Sequence, residues 1–546
     1  MSESLKASGG GVTVTVQGVA VTGPAQSVLD RAVGAGVAKA LVSKDATLWG
    51  PDASAEASIR LGWLDVVEKS TPLLHALTTL AADLSAKGVD RVVLSGMGGS
   101  SLAPEVITLT AGVPLVVVDT TDPHQVASAL TDLERTVLVV SSKSGGTIET
   151  DSHRRVFEKA FRDAGIDPVE RIIVVTDPDS PLDKSAREAG YRVFVADPNI
   201  GGRYSALSAF GLVPSALAGA DVAQLLADAA AMHATLADDD NPALLLGAAL
   251  GGGGMAGHDK VVIADNGSGI TGFGDWAEQL VAESTGKDGK GLLPVVLESI
   301  DGPGFEEAAD VHRVVLGPIS GGAAIEGTGT AVSGPLGAQF LLWESATAIA
   351  GWAIGIDPFN QPNVAEAKAA TSAVLDEAAG GALPEGRPLF TDGAVVVYGD
   401  GDLLDGVDTL PGVLQRLLTA VPQTGYLAVM AYLDRFADAE AAQIRIAFDE
   451  RISHPVTFGW GPRFLHSTGQ YHKGGPANGV FLQITGVTTT DLDVPGKPYS
   501  LGTLQLAQAL GDLRTLKAHQ LPAVRLHLTD RATGLAQLLA AARSGA

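Results

Sequence analysis

A loop rich in hydroxyl groups is the clearest chemical feature of the sequence. Residues 142–150 read SKSGGTIET and follow an apolar run, residues 136–141, that predicts a buried strand. Hydroxyl donors, a lysine and the free N–H groups at the start of a helix can together hold a phosphate. The candidate ligands are Ser142, Lys143, Ser144 and Thr147, and Thr147 is also predicted to cap the following helix. A solvated loop with an ordinary cap is the alternative.

A glycine-rich turn, GMGGSS at residues 96–101, follows another predicted strand at 91–95. Glycines let the backbone approach an anion, so Gly99 and Ser100 are candidate phosphate contacts. The turn is also close to a dinucleotide fingerprint, because Asp119 ends the next strand at about the spacing of a ribose-binding acid. A tight turn without any ligand is the third possibility.

A second turn, GGRYS at residues 201–205, places an arginine at the entrance of a helix. Arg203 follows a flexible turn near the sheet edge, and its guanidinium could stabilise a developing oxyanion. An arginine in a surface turn is the commoner case.

The segment QLVAESTGK, residues 279–287, has the spacing of a helix. That spacing places Gln279, Glu283 and Lys287 on one face. In a cleft that raises its pKa, the carboxylate of Glu283 could act as a general base. The alternative is an exposed Glu–Lys pair on a solvated face.

A further predicted helix begins in FNQPNVAEAK, residues 359–368, with Pro362 at its first position. Gln361 and Lys368 are two turns apart and point the same way. The bland interpretation is that Lys368 is simply exposed.

Two histidines and a lysine lie in the glycine-rich segment LHSTGQYHKGGP, residues 465–476. Imidazoles exchange protons near neutral pH, so His466 or His472 could transfer protons. A single histidine is more often structural. The sequence has no His-Glu-x-x-His pattern or acidic cluster here, and a metal site is therefore not expected.

These segments must be positioned by an α/β fold. Apolar runs at 91–95, 114–119, 136–141, 171–176 and 192–195 predict strands that alternate with helices, and a second series runs from 260–265 through 291–297, 311–316, 394–398, 426–432 and 480–484. Such alternation predicts doubly wound parallel sheets with ligands at the strand carboxyl ends. We expect order from about Leu41. The predicted boundaries are 1–60 for an N-terminal extension, 61–235 and 236–490 for two similar α/β domains, and 491–546 for a C-terminal extension of helix, strand and helix.

Composition narrows the possible functions of the 546 residues. The formal net charge of −25 argues against nucleic-acid and anionic-membrane binding, and it requires a phosphate site to supply its own cation, for which Lys143 is the candidate. The absence of cysteine excludes disulfides and thiolate chemistry. The N-terminus lacks the pattern of a secretory signal. Residues 337–356 predict a buried core helix rather than a membrane span. A cytoplasmic protein is expected.

Taken together, the motifs between about residues 96 and 476 resemble those of the glucose-6-phosphate isomerase family. The loop ending at Ser100, the SKSGGT loop, Gly202-Arg203, the Q-x-x-x-E-S-x-G-K helix and the F-x-Q-P segment each resemble a family motif. His466 and Gln470 resemble H-S-x-x-Q, although in the usual family order the histidine segment precedes the Gln361 to Lys368 segment. The segment LHSTGQ, residues 465–470, is similar to a segment in the isomerase part of transaldolase–isomerase fusions.

The resemblance implies two sugar-isomerase domains, no cofactor, a homodimer and a role in glycolysis and gluconeogenesis. It implies that Glu283 is the base, that His466 with Lys368 opens the sugar ring, and that Arg203 stabilises the oxyanion. Gln279 and Gln361 would position hydroxyl groups, with His472 as the alternative histidine.

Two other classes of protein remain. A noncatalytic sugar-phosphate sensor would keep the loop at 142–150 but would not need Glu283, Lys368 and His466 together. A nucleotide-dependent oxidoreductase would use the turn at 96–101 and Asp119, but it leaves the second, hydroxyl-rich loop without a role.

Overall fold

The computed structural model describes residues 4–317, 327–379, 381–399 and 402–544. The predicted domain ranges therefore extend beyond the described residues at 1–3, 318–326, 380, 400–401 and 545–546. The chain forms two compact units. Unit 1 comprises residues 1–119, 132–300 and 309–360, and unit 2 comprises residues 120–131, 301–308 and 361–546.

The described residues contain strands in both units. They are β1 Ser4–Gly9, β2 Val12–Gln17, β3 Arg91–Ser95, β4 Val116–Val118, β5 Thr136–Ser141, β6 Ile172–Thr176, β7 Arg192–Val195, β8 Lys260–Asp265, β9 Leu293–Leu297, β10 Val311–Leu316, β11 Gly329–Ser333, β12 Phe390–Asp392, β13 Val395–Tyr398, β14 Tyr426–Tyr432, β15 Val456–Trp460, β16 Gly479–Gly486 and β17 Ala523–Leu528.

The α-helices are α1 Val19–Ala35, α2 Val37–Val42, α3 Ser54–Ala57, α4 Val66–Ser70, α5 Leu73–Ala86, α6 Leu102–Ala111, α7 Pro123–Ala129, α8 Ile148–Asp163, α9 Pro181–Glu188, α10 Ala209–Leu217, α11 Val222–His233, α12 Pro242–Met255, α13 Phe273–Thr285, α14 Leu336–Ile354, α15 Val364–Ala378, α16 Leu410–Ala420, α17 Gln443–Asp449, α18 Gly469–Gly474, α19 Leu501–Ala518 and α20 Arg531–Arg543. Short 3-10 turns occur at Gly62–Asp65, Gly98–Ser100, Leu133–Arg135, Pro168–Glu170, Gly202–Tyr204, Ala439–Ala442 and Arg463–His466.

The first sheet of unit 1 is parallel and has the order β4-β3-β5-β6-β7. Its strands are runs of Val and Ile, and β5 and β6 are wholly buried, as expected of strands covered on both faces. The chain leaves β3 for β4 on one side and returns to β5 on the other. The carboxyl ends of β3 and β5 therefore flank a topological switch point, which is where open α/β sheets bind ligands.

The second sheet of unit 1 has the order β1-β2-β11-β10-β8-β9. Strands β8 to β11 are parallel, while β2 pairs antiparallel with β11 and β1 pairs antiparallel with β2. The expectation that order begins near Leu41 was wrong, because β1 and β2 belong to this sheet. Gly10 and Gly11 join them with φ angles of 59° and 80°, the positive values that a two-residue hairpin turn requires.

Unit 2 has a sheet of its own, with the order β12-β13-β17-β16-β14-β15. Strands β14, β15, β16 and β17 are parallel, and β12 and β13 extend the edge in antiparallel pairs. The predicted domain 236–490 thus divides between two sheets, because β8 to β11 pair in unit 1 and β14 to β16 pair in unit 2. The predicted extension 491–546 does contain helix, strand and helix, but its strand β17 is the central partner of β16 and β13.

Helix α14 is the predicted core helix, and 17 of its 19 residues are buried. It packs against α12, where Gly247 and Gly251 leave room for close contact with Ala346 and Ala353. In the described part of the chain, no helix has the length and apolar character needed to cross a membrane.

Candidate active site

The two predicted phosphate loops leave neighbouring strands at the switch point of the first sheet. Ser95, the last residue of β3, is in register with Val140 near the end of β5, so the turn at 96–101 and the loop at 142–147 begin at the same sheet edge. Residues 96–100 are buried. The two predicted phosphate loops therefore lie next to each other at this edge of the sheet.

The turn at 96–101 approaches the backbone of the arginine turn closely at Gly99. A Cβ added to Gly99 would lie 1.9 Å from the carbonyl oxygen of Gly202, so only glycine fits this approach. The same contact brings Ser100 and Arg203 into neighbouring 3-10 turns, both of which contact α13. The glycines thus have a packing role that needs no dinucleotide.

The loop at 142–147 is organised by its own hydroxyl groups. The Oγ of Ser142 lies 3.0 Å from the Oγ1 of Thr147, and the amide of Gly146 donates to the Oγ of Ser144 at 3.3 Å. Thr147 occupies the N-cap position of α8, as predicted, but its side chain makes no capping hydrogen bond. The predicted position of the cap is therefore correct, but the predicted capping hydrogen bond is absent because the hydroxyl of Thr147 faces Ser142 instead.

Lys143 is already paired with an acid. Its Nζ donates to Oδ2 of Asp177 at 2.5 Å and to the carbonyl oxygen of Pro198 at 3.2 Å. Burial lowers the pKa of Lys143 and raises the pKa of Asp177. The positive charge of Lys143, which was expected to attract a phosphate, is thus partly neutralised by Asp177. The sequence did not predict this ion pair.

Arg203 and Glu283 form a buried ion pair in unit 1. The Nη1 of Arg203 lies 3.2 Å from Oε1 of Glu283, and only 3% of Arg203 and 7% of Glu283 are exposed. The Nε of Arg203 also donates to the Oγ of Ser284 at 2.8 Å. The interpretation of Arg203 as a surface arginine is therefore wrong.

Gln279 binds the other oxygen of the same carboxylate. Its Nε2 donates to Oε2 of Glu283 at 3.0 Å, one turn along α13, as the helical spacing predicts. The Oε1 of Gln279 is buried and accepts no hydrogen bond from the described residues. A buried acceptor left open in this way is costly unless a ligand supplies the donor.

Lys287 lies where the sequence did not place it. Helix α13 ends at Thr285, so Lys287 is beyond the helix and does not share its face with Gln279 and Glu283. Its Nζ donates to the carbonyl oxygens of Asp357 and Asn360, each at 2.7 Å, and to Oδ1 of Asn360 at 2.9 Å. The exposed Glu–Lys pair is thereby excluded, because Lys287 is also buried.

Unit 2 brings the Gln361 segment and the histidine segment together. Asn363 donates its N–H to Oε1 of Gln470 at 2.9 Å, and the Nε2 of Gln470 donates to Oδ1 of Asn363 at 2.7 Å. Helix α15, which carries the exposed Lys368, contacts the 3-10 turn that ends at the half-buried His466. Two segments about a hundred residues apart are thus neighbours.

The second histidine, His472, is enclosed by aromatic rings. Its ring lies 5.2 Å from that of Phe481, 5.9 Å from Tyr426 and 6.2 Å from Phe464, measured between centroids. Neither ring nitrogen has a hydrogen-bond partner among the described residues. Burial, aided by the charge of Lys473, holds the pKa of His472 well below its usual value. These surroundings are those of a neutral core residue.

The predicted residues thus form two sets, one in each unit. Unit 1 holds Gly99, Ser100, Ser142, Lys143, Ser144, Thr147, Gly202, Arg203, Gln279 and Glu283, and unit 2 holds Gln361, Lys368 and His466. Across the described ranges, no group of three or more acidic, histidine or cysteine side chains is arranged to hold a metal ion.

Comparison with known proteins shows which part of the chain resembles a family. Residues 78–288 match the family model described as phosphoglucose isomerase. The matched segment includes every predicted site residue of unit 1, from Gly99 to Glu283, together with Lys287. It ends before Gln361, Lys368 and His466.

The relatives that match part of the chain include proteins named glucose-6-phosphate isomerase. The probable glucose-6-phosphate isomerase of Haloarcula marismortui is 36% identical over 212 residues, which cover 38% of this chain and 49% of that protein. The chloroplastic glucose-6-phosphate isomerase 1 of Arabidopsis thaliana is 36% identical over 213 residues, covering 36% of this chain and 35% of that protein. The chain thus spans half or less of the length of these relatives.

Solved structures share the fold. A hypothetical protein from Thermus thermophilus superposes with a TM-score of 0.55 at 23% identity, over 66% of this chain and 99% of that one. A glucose-6-phosphate isomerase from Chlamydia trachomatis superposes with a TM-score of 0.52 at 19% identity, over 68% of this chain and 90% of that one. The chain therefore shares the α/β fold of these two structures, and its residues 78–288 are similar to the phosphoglucose isomerase family model.

Proposed function

We propose that this chain catalyses the reversible isomerisation of glucose 6-phosphate and fructose 6-phosphate by proton transfer through a cis-enediol intermediate. The observation that carries the proposal is the buried cluster of Arg203, Glu283 and Gln279, beside the glycine-rich turns of the switch point. A carboxylate can act as the base of a proton transfer next to a carbonyl, and a guanidinium can stabilise the oxyanion that forms. The open amide acceptor can hold a sugar hydroxyl group.

The phosphate is assigned to the loop after β5. Ser142, Ser144 and Thr147 supply hydroxyl groups, and the first amides of α8, which the side chain of Thr147 does not cap, supply N–H donors. Lys143 adds positive charge that Asp177 partly offsets. Gly99, Ser100 and Gly202 would line the path between this loop and Arg203.

The proton transfer is assigned to Glu283. In the aldose-to-ketose direction its carboxylate removes the proton from C2 of the open-chain sugar, and the electrons pass to the carbonyl oxygen at C1, giving an enediolate. Arg203 stabilises that oxyanion, an effect typically worth a factor on the order of 10²–10³ in rate. Return of the proton to C1, with transfer of the hydroxyl proton from O2 to O1, completes the ketose. Gln279 would orient a sugar hydroxyl through its open Oε1.

Ring opening is assigned to the residues of unit 2. His466 would protonate the ring oxygen while Lys368 assists, and Gln361 would hold a hydroxyl group. The support is that the Asn363–Gln470 hydrogen bonds tie the two segments together. A homodimer, a cytoplasmic location, action without a cofactor and similarity to the isomerase part of transaldolase–isomerase fusions belong to the same proposal.

A direct test is to incubate the purified chain with fructose 6-phosphate, without added cofactor or metal, and to follow the products by proton NMR. The isomerase forms glucose 6-phosphate, and in D₂O it introduces deuterium at C2 of that product. A sensor binds fructose 6-phosphate without changing it, and an oxidoreductase needs an added nucleotide. Unchanged fructose 6-phosphate would refute the proposal.

A further inference from the structure

Lys287 is buried, has no role in the proposed chemistry, and binds the main chain of residues 357–360. The ammonium of Lys287 has three acceptors, the carbonyl oxygens of Asp357 and Asn360 and the side-chain Oδ1 of Asn360, at 2.7, 2.7 and 2.9 Å. An ammonium has three N–H donors, so all of them are used. All three acceptors are neutral.

The carbonyl oxygen of Asn360 is shared with the arginine of the site. The Nη2 of Arg203 donates to it at 3.0 Å and also to the carbonyl oxygen of Pro358 at 2.7 Å. Two buried cations therefore bind residues 357–360, and one of them, Arg203, also pairs with Glu283. Loss of either cation leaves buried carbonyl groups unsatisfied, which is costly.

We propose that Lys287 is a positioning residue for the Glu283 site: it fixes residues 357–360, and this segment in turn holds the guanidinium of Arg203 against Glu283. Lys287 touches no reacting atom and acts through Arg203. The inference deepens the proposed isomerase function, and its kinetic readouts rest on that function.

The charge of Lys287 is sensitive to pH near neutrality. Burial and the neighbouring charge of Arg203 together lower its pKa to about 7, against the opposing charges of Asp357, Glu283 and Asp288. A neutral amine has two donors and a lone pair, so above this pH one acceptor faces the lone pair and its contact is lost. The positioning function should therefore weaken as the pH rises through about 7.

The kinetic test compares wild type with Lys287→Met, Asn360→Asp and the control Lys290→Met, which removes an exposed lysine from the same turn. Lys287→Met should lower kcat at least about 10-fold, because Arg203 loses its support, with a smaller change in KM. Asn360→Asp places a carboxylate beside the ammonium and should move the alkaline limb of the kcat profile up by about 1–3 pH units. Lys290→Met should match wild type. A folded Lys287→Met with wild-type kcat, or an unmoved limb in Asn360→Asp, would overturn the proposal.

A second measurement needs no substrate. The native pKa of Lys287 lies below its unfolded value of 10.5, so the unfolded chain binds more protons between about pH 7 and 10.5. Wild type should therefore gain stability relative to Lys287→Met as the pH rises from 6 to 9, seen as a growing difference in urea midpoint. Parallel midpoints would overturn the inferred pH dependence of Lys287 even if the chain is an isomerase. A growing difference would support the assigned charge state even if fructose 6-phosphate is not converted.

Discussion

The Nη1 of Arg203 lies 3.2 Å from Oε1 of Glu283, although the two residues are 80 positions apart and follow strands of different sheets in unit 1. Arg203 is in the 3-10 turn after the first sheet, and Glu283 is on α13, which follows β8 of the second. A buried pair of this kind is expensive to desolvate and gives little net stability. We therefore assign the Arg203–Glu283 pair to catalysis rather than to stability.

The first prediction concerns the assigned base. Glu283→Gln preserves the shape of the side chain but cannot accept the C2 proton, so kcat should fall by a factor on the order of 10²–10⁴. Binding of glucose 6-phosphate, measured by calorimetry, should change much less. Glu278→Gln is the matched control, since Glu278 lies on the same helix and is only partly buried. Wild-type turnover in Glu283→Gln would eliminate Glu283 as the base.

The second prediction separates the two histidines. His472 is packed among Tyr426, Phe464 and Phe481 and is held neutral by burial. His472→Phe keeps an aromatic ring in that place and should retain kcat within a factor of about 3, because volume-conserving core changes are tolerated best.

His466→Ala should instead lower kcat with glucose 6-phosphate by a factor on the order of 10² or more, the usual contribution of a positioned acid or base. Both variants are assayed after circular dichroism confirms that they fold. The opposite ranking of the two variants would assign ring opening to His472.

The third prediction concerns the electrostatics of the phosphate loop. Asp177 accepts a hydrogen bond from the Nζ of Lys143 at 2.5 Å and so competes with a bound phosphate. Asp177→Asn removes that negative charge and should lower KM about 2- to 10-fold, corresponding to roughly 1 kcal/mol at a partly exposed site. The control Asp179→Asn removes the same charge from an exposed position two residues away. An equal or higher KM in Asp177→Asn would show that the pair serves to orient Lys143.

The sequence was informative wherever a local pattern decides structure. Strands β3, β5, β7, β8, β10 and β14 have the predicted bounds, because each is a short apolar run between turn residues. The Gln279–Glu283 contact also follows from helical spacing alone. Strands β1 and β2 were missed although Gly10-Gly11 between alternating residues is a hairpin signal.

Long-range pairing could not be predicted in the same way. Nothing local in the sequence shows that β2 pairs with β11, that Asp177 pairs with Lys143, or that Lys287 binds Asn360. The division of the predicted second domain between two sheets has the same origin, since β8 and β14 are both apolar runs and differ only in their partners. Pairing depends on which surfaces the folded chain brings together.

The last prediction concerns the backbone contact at the switch point. A Cβ on Gly99 would lie 1.9 Å from the carbonyl oxygen of Gly202 and 2.4 Å from its carbonyl carbon, neither of which is a flexible group. Gly99→Ala must therefore push the two turns apart, at a cost of about 1–3 kcal/mol in unfolding free energy, measured in urea. It should also reduce kcat/KM, because the displaced turn carries Arg203 away from Glu283.

The control Gly34→Ala meets no atom within 4 Å and lies in α1, so it should leave kcat/KM unchanged and stabilise the chain by up to about 1 kcal/mol. Equal stability of Gly99→Ala and wild type would mean that the two turns can separate freely, and the contact would then have no part in holding Arg203.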